Sequence, residues 1–252
     1  PGFWHTAGEA SEASAGINWE TIVFIAGMMI MVEGMALSGF FSWLCLTIAK
    51  AVRYNTTKIF IMFMILAFVL SMFIDSITVI LFLAAITITQ SKLLQFNPIP
   101  VIIAEIFCSN LGGSSTMCGD PPNIIIGTAL HYTFTDFLTN TGVIAIICLV
   151  LMIFFFYMCF RKKLGTRNLS EEEIAKMPTP QSAITDKRAF IISTVIFLCA
   201  VILLVTHGQT GLTVSTIGII AAVATCITAG KKSKAILRRV DYPTLVFSPA
   251  YL

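Results

Sequence analysis

The 252 residues are 57% hydrophobic and 12% charged, with a net charge of +3 and a mean hydropathy of +0.90. That composition excludes a soluble globular domain and a disordered chain, and it marks an integral membrane protein. The basic residues gather in short connecting segments, which reads as a topology signal and excludes a nucleic-acid surface.

Residues 1–18 are small and polar and predict a loop. The chain opens on Pro1 without the charged, apolar and small-residue order of a signal peptide, and it reads as part of a longer protein. From Thr21 to Val52 runs an apolar region too long for one helix across a core of about 30 Å and too short for two crossings. A re-entrant hairpin over 21–49 is expected, with the reversal at Ser38-Gly39, its ends on one face, and Gly27 and Gly34 letting the arms pack. Glu33 lies inside the first arm, where an ionisable group is a functional candidate by default.

After Lys50, Arg53 and Lys58, residues 59–89 again exceed one crossing and are interrupted at Asp75-Ser76. A helix broken there offers an ion the Asp75 carboxylate, the Ser76 and Thr78 hydroxyls and unwound carbonyls. Val101 to Leu111, with Glu105, leads into Ser109-Asn110-Leu-Gly112-Gly113-Ser-Ser-Thr-Met-Cys-Gly119-Asp120-Pro-Pro-Asn123. Three glycines and two consecutive prolines predict a break over 109–125, which at membrane depth must be buried in protein or line a polar cavity. Its oxygens and free backbone groups suit ion or small-anion coordination better than catalysis.

Residues 128–140 alternate aromatic and polar side chains and predict an interfacial helix or arm, with His131 an interfacial aromatic. A clean span follows over 142–160. Residues 161–188 form a soluble connection with a short surface helix capped by Ser170. Two more transmembrane helices fill 189–229, separated by a turn at His207–Gly211. The seven cysteines lack a Cys-x-x-Cys motif and read as free thiols. Finally, Ile17–Phe24 aligns with Val240–Phe247, three identities and four similar pairs in eight positions, so 240–252 reads as the truncated start of a second, inverted repeat. The connections at 161–188 and 231–239 carry twelve Lys or Arg against three at 50–58, which makes the former face cytoplasmic by the positive-inside rule.

Asn110-Leu-Gly-Gly followed by Gly119-Asp-Pro-Pro-Asn-Ile-Ile-Ile-Gly127 resembles the signature of the citrate transporter-like ion-transporter superfamily, which includes arsenite permeases, NhaD-type Na⁺/H⁺ antiporters and the melanosomal P protein. The resemblance spans most of residues 17–160 and is closest to the P-protein and NhaD branch. It implies an all-α membrane protein with an inverted-repeat secondary-transporter fold, of which mainly the first repeat is present. The branch's Leu-Asp-Asn-x-Thr-Thr pattern corresponds to Ile74-Asp75-Ser76-Ile77-Thr78-Val79, which keeps the aspartate and first threonine and lacks one amide and one hydroxyl. The divalent anion relatives imply the opposite orientation, with the first hairpin opening to the cytoplasm.

The expected function is secondary ion transport, most closely Na⁺/H⁺ antiport, with no catalytic residues and no cofactor beyond Na⁺ or H⁺ as coupling ion. Ion-binding candidates are Glu33, Asp75, Ser76, Thr78, Asn110, Gly112, Gly113, Gly119, Asp120 and Asn123, with Na⁺ at Asp75, Asn110 and Asn123. Expected partners are the lipid bilayer, a small inorganic ion or anion, and a second repeat or a second copy of the chain; activity is not expected from this stretch alone. Arsenite or organic-anion transport is the alternative within the class. An intramembrane aspartyl protease also uses two membrane aspartates, but Met117-Cys118-Gly119-Asp120 lacks the first glycine of its Gly-x-Gly-Asp motif.

Overall fold

Eleven α-helices lie within the described residues, 19–130, 132–162, 174 and 177–240, of a computed structural model in which those residues form no strand. They are α1 (Trp19–Ser38), α2 (Phe40–Ala51), α3 (Thr56–Ser71), α4 (Ser76–Leu94), α5 (Pro98–Ser114) and α6 (Pro121–Leu130), then α7 (Phe134–Phe137), α8 (Val143–Phe160), α9 (Lys187–Thr210), α10 (Val214–Ala229) and α11 (Ser233–Arg239). Their boundaries follow capping chemistry. Asn55 accepts from the Lys58 amide to start α3, and Asn97 accepts from Ile99 to start α5, with Pro98 in the first turn where no intrahelical donor is needed. Gly211, at φ 67°, closes α9 in the left-handed conformation that glycine adopts without strain.

Among the described residues, four segments are long and apolar enough to cross a membrane: Trp19–Ser38, Ser76–Leu94, Phe134–Phe160 and Lys187–Thr210. The α8 segment presents Ile144, Leu151 and Phe154 outward, as a lipid-facing helix does. With these spans the chain is an integral, multi-pass membrane protein.

One layer is built from α1, α9 and α10. A Cβ on Gly27 would lie 2.3 Å from the Gly218 carbonyl oxygen, and one on Gly34 would lie 2.6 Å from Thr225 Cγ2. Both contacts advance in the same chain direction, so α1 and α10 run parallel with backbones close enough to exclude any side chain at Gly27. This corrects the expectation that Gly27 and Gly34 seat a second hairpin arm. Past Gly39, at φ 88°, α2 instead lies along residues 178–184, from the Tyr54 hydroxyl donating to the Pro178 carbonyl at 3.2 Å to Ala183 against Gly39.

The other layer packs α3, α4 and α8 on α5. Phe68 meets Gly112 and Ser71 meets Ser109 where α3 packs across α5. Residues 128–140 are not a separate interfacial arm. Thr133 and Asp136 form a reciprocal capping box at the start of α7, which passes through one wide π turn (Leu138–Gly142) straight into α8. Likewise His207–Thr210 stay in α9, and the expected turn shrinks to the residues after Thr210. The N-terminal loop, His131, the helix expected after Ser170 and nearly all of the 240–252 repeat fall outside the described residues.

Candidate functional site: two facing helix breaks

Residues 72–75 separate α3 from α4, and residues 115–120 separate α5 from α6. Backbone that leaves a helical ladder inside a membrane protein needs other partners, and here each break supplies them to the other. Thr116 Oγ1 donates to the Met72 carbonyl. Ser109 Oγ donates to the Ser76 carbonyl at 3.0 Å; with its one proton committed there, the 2.6 Å contact between Ser71 and Ser109 is donated by Ser71. Asn123 Nδ2 donates to the Gly113 carbonyl at 3.0 Å and to the Thr116 carbonyl at 2.9 Å, closing acceptors that the end of α5 leaves open.

Two carboxylates converge on the first turn of α4. Asp75 is its N-cap and accepts from the Thr78 amide at 2.9 Å. Asp120 reaches across from the second break, where Oδ1 accepts from the Ser76 hydroxyl at 2.7 Å and from the Ser76 amide at 3.4 Å. The first turn of α4 thus presents its free amides and one hydroxyl to both carboxylates.

Close backbone approach makes the convergence geometrically feasible. A Cβ on Gly113 would fall 2.2 Å from Asp120 Oδ2, one on Gly119 2.3 Å from the Gly113 carbonyl oxygen, and one on Gly112 2.1 Å from the Phe68 carbonyl oxygen. The three glycines act sterically and hold the breaks together. Gly112 and Gly113 are still helical, because α5 runs on to Ser114 and the break expected over 109–125 narrows to 115–120.

Asp75 also opens onto a cavity of about 340 Å³, which Glu33, Thr78 and Arg239 line with it. Glu33 Oε2 is buried and makes no hydrogen bond within the described residues. On another side of Asp75, a void of about 30 Å³ lies against Gly119 and the first turn of α6, room for roughly one water. Asn110 is not part of this node: it is exposed on α5, and its Nδ2 donates to the Ile106 carbonyl of its own helix at 2.8 Å. The expected set of Asp75, Asn110 and Asn123 is therefore not gathered. Among the described residues no group of three His, Cys, Asp or Glu is placed to hold a metal. Carboxylates, hydroxyls and carbonyls remain, which are hard oxygen ligands suited to a proton or a hard cation.

Sequence reasoning passed over Ser71, took Ser109 and Thr116 only as part of a hydroxyl-rich stretch that serves a polar cavity, and noted Glu105 without a role. Glu105 is fully buried between α4 and α5, accepts from Thr87 Oγ1 at 2.6 Å through Oε1, and its Oε2 makes no hydrogen bond within the described residues. A signal existed: Val101, Ala104, Glu105, Cys108, Ser109 and Gly112 repeat at helical spacing and form the buried stripe of α5.

The citrate transporter family (CitMHS) matches residues 4–250. The chain is 29% identical to a 46 kDa membrane protein of Mycobacterium leprae and 27% identical to an uncharacterized transporter of Mycobacterium tuberculosis, each over 234 residues that make up 92% of this chain and 54% of the relative. It is 37% identical to the human P protein over 142 residues, 55% of this chain and 17% of that protein. The chain thus spans about half the length of the mycobacterial relatives. With nearly every residue matched by the family, this chain belongs to the citrate transporter family of membrane transporters.

Proposed function

We propose that this chain supplies one half of a secondary transporter whose coupling ion binds at Asp75 and Asp120, and that the exchange is Na⁺ against H⁺. The observation that carries the reading is the meeting of two carboxylates, one from each helix break, at the first turn of α4 beside the Glu33 cavity. Two acids that close together bind one monovalent cation or one proton favourably and both at once poorly, which is the competition an antiporter needs. A family of transporters fits a non-enzymatic role. The other half would come from a second repeat in the same polypeptide or from a second copy.

A second reading, an organic-anion permease, is favoured by the Arg239 guanidinium lining the same cavity and by the family's description as citrate transporters. One substrate panel separates the two. The full-length protein in proteoliposomes is challenged with Na⁺, Li⁺, arsenite and citrate gradients. Proton movement driven by Na⁺ without any anion supports antiport; flux that requires citrate or arsenite rejects it.

A further inference from the structure

The antiparallel hairpin of α9 and α10 carries two cavities that no part of the ion site uses. Near its charged end a cavity of about 290 Å³ is bounded by Arg188, Ile192, Ser193, Thr228 and Lys232. Deeper in the same groove a trough of about 220 Å³ is lined by Val195, Cys199, Leu203, Ile220 and Ala224, with no charged side chain. Ile196 lines both, so the two cavities adjoin along α9, the first also walled by Gly34 and Leu37 of α1.

Its polarity and length match one amphiphile. From Arg188 to Leu203 the helix rises about 22 Å. One leaflet, from headgroups to midplane, is about 20–22 Å deep. The head carries two cations against one acid. Asp186 is occupied, since it takes Lys232 Nζ at 3.3 Å and caps α9 through the amides of Arg188 and Ala189 at 3.0 and 3.3 Å. Among the described residues Arg188 forms no ion pair, so its guanidinium is available to an external anion.

We infer that the α9–α10 groove binds an anionic phospholipid, its phosphate beside Arg188 and Lys232 and one acyl chain in the trough ending at Leu203. Basic pockets between transmembrane helices recognise acidic headgroups in this way, while the apolar trough selects a lipid over free phosphate. The inference is independent of which ion the protein moves.

The test uses the full-length protein in mild detergent, incubated with phosphatidylglycerol or with phosphatidylcholine of the same acyl chains, and bound lipid counted by native mass spectrometry. Phosphatidylglycerol should be retained in preference. Arg188→Gln and Lys232→Gln should each lower that retention about five-fold, the factor expected for one cation near a membrane surface. Asp186→Asn, which keeps a capping oxygen and removes the competing charge, should raise it. Cys199→Trp fills the trough without touching the charges and should lower retention of both lipids, and excess inorganic phosphate should displace neither. Equal retention of the two lipids would overturn the proposal. So would a phosphatidylglycerol preference unchanged in both charge variants, or retention of neither lipid, which would mean that another segment fills the groove.

Discussion

Ser76 and Gly112 hold the two breaks together by different physics, and their substitutions should differ accordingly. Ser76→Ala removes one hydroxyl that donates to Asp120, a bond to a charged group of about 1.5–3 kcal/mol, so SDS-induced unfolding should shift by that order while the protein stays monodisperse. Gly112→Ala places a methyl 2.1 Å from a backbone oxygen that cannot swing aside, and should abolish the monodisperse peak in size-exclusion chromatography. Equal, mild effects from both would show that α3 and α5 do not approach this closely. The carboxylates were legible from sequence because an acid inside an apolar run stands out, as Asp75 and Asp120 do. Ser71, Ser109 and Thr116 did not stand out singly, because they are small, uncharged and ordinary in membrane helices, and only the tertiary packing of α3 on α5 and of one break on the other gives them a role.

At the scale of elements, α9 is held at its start by Asp186, whose carboxylate lies outside the span. Amide donation from Ala189, the Lys232 ammonium and amide donation from Arg188 hold its pKa below the usual aspartate value. A depressed folded pKa means that stability is present above the unfolded value of about 3.9 and is lost as pH falls through the folded one. The wild type should therefore melt above Asp186→Asn at pH 6, with the difference shrinking below about pH 4. A gap independent of pH would remove Asp186 from the anchoring of α9. Asn55, Asn97 and Pro121 mark helix starts that the sequence reading set later, at 59, at 101 and beyond 125. Helix ends were misread at Gly112-Gly113 and at His207–Thr210, where tertiary packing or simple continuation keeps weak helix formers helical.

At the scale of the whole molecule, contacts between helix ends sort those ends into two faces. Ser193 Oγ donates to Ser38 Oγ, Lys232 pairs with Asp186, and Thr133 sits against Gly208 at the opposite end of α9. These contacts bring the start of α9 and the ends of α1 and α10 to one face, with the start of α8 on the other. By the positive-inside rule the face with Lys232 is proposed to be cytoplasmic. In a cysteine-free background, Lys232→Cys in intact cells should resist an impermeant maleimide until the membrane is permeabilised, and Gly211→Cys should react at once; the reverse pattern would invert the topology. The parallel pairing of α1 with α10 was not legible, since glycines at 27 and 34 announce a close helix neighbour without saying which one.

The proposed division of labour between two halves makes the stretch of residues 1–252 inactive by itself: reconstituted alone it should show no saturable exchange, where the full-length protein does. For the ion site, the most direct measurement is Na⁺-driven proton flux by the full-length protein in proteoliposomes, comparing wild type with Asp75→Asn at matched reconstitution. Asparagine keeps an oxygen to cap α4 and removes the charge, so folding should survive while exchange is lost. Asp75→Asn protein that folds and still exchanges Na⁺ for H⁺ at the wild-type rate would contradict a coupling-ion site at Asp75.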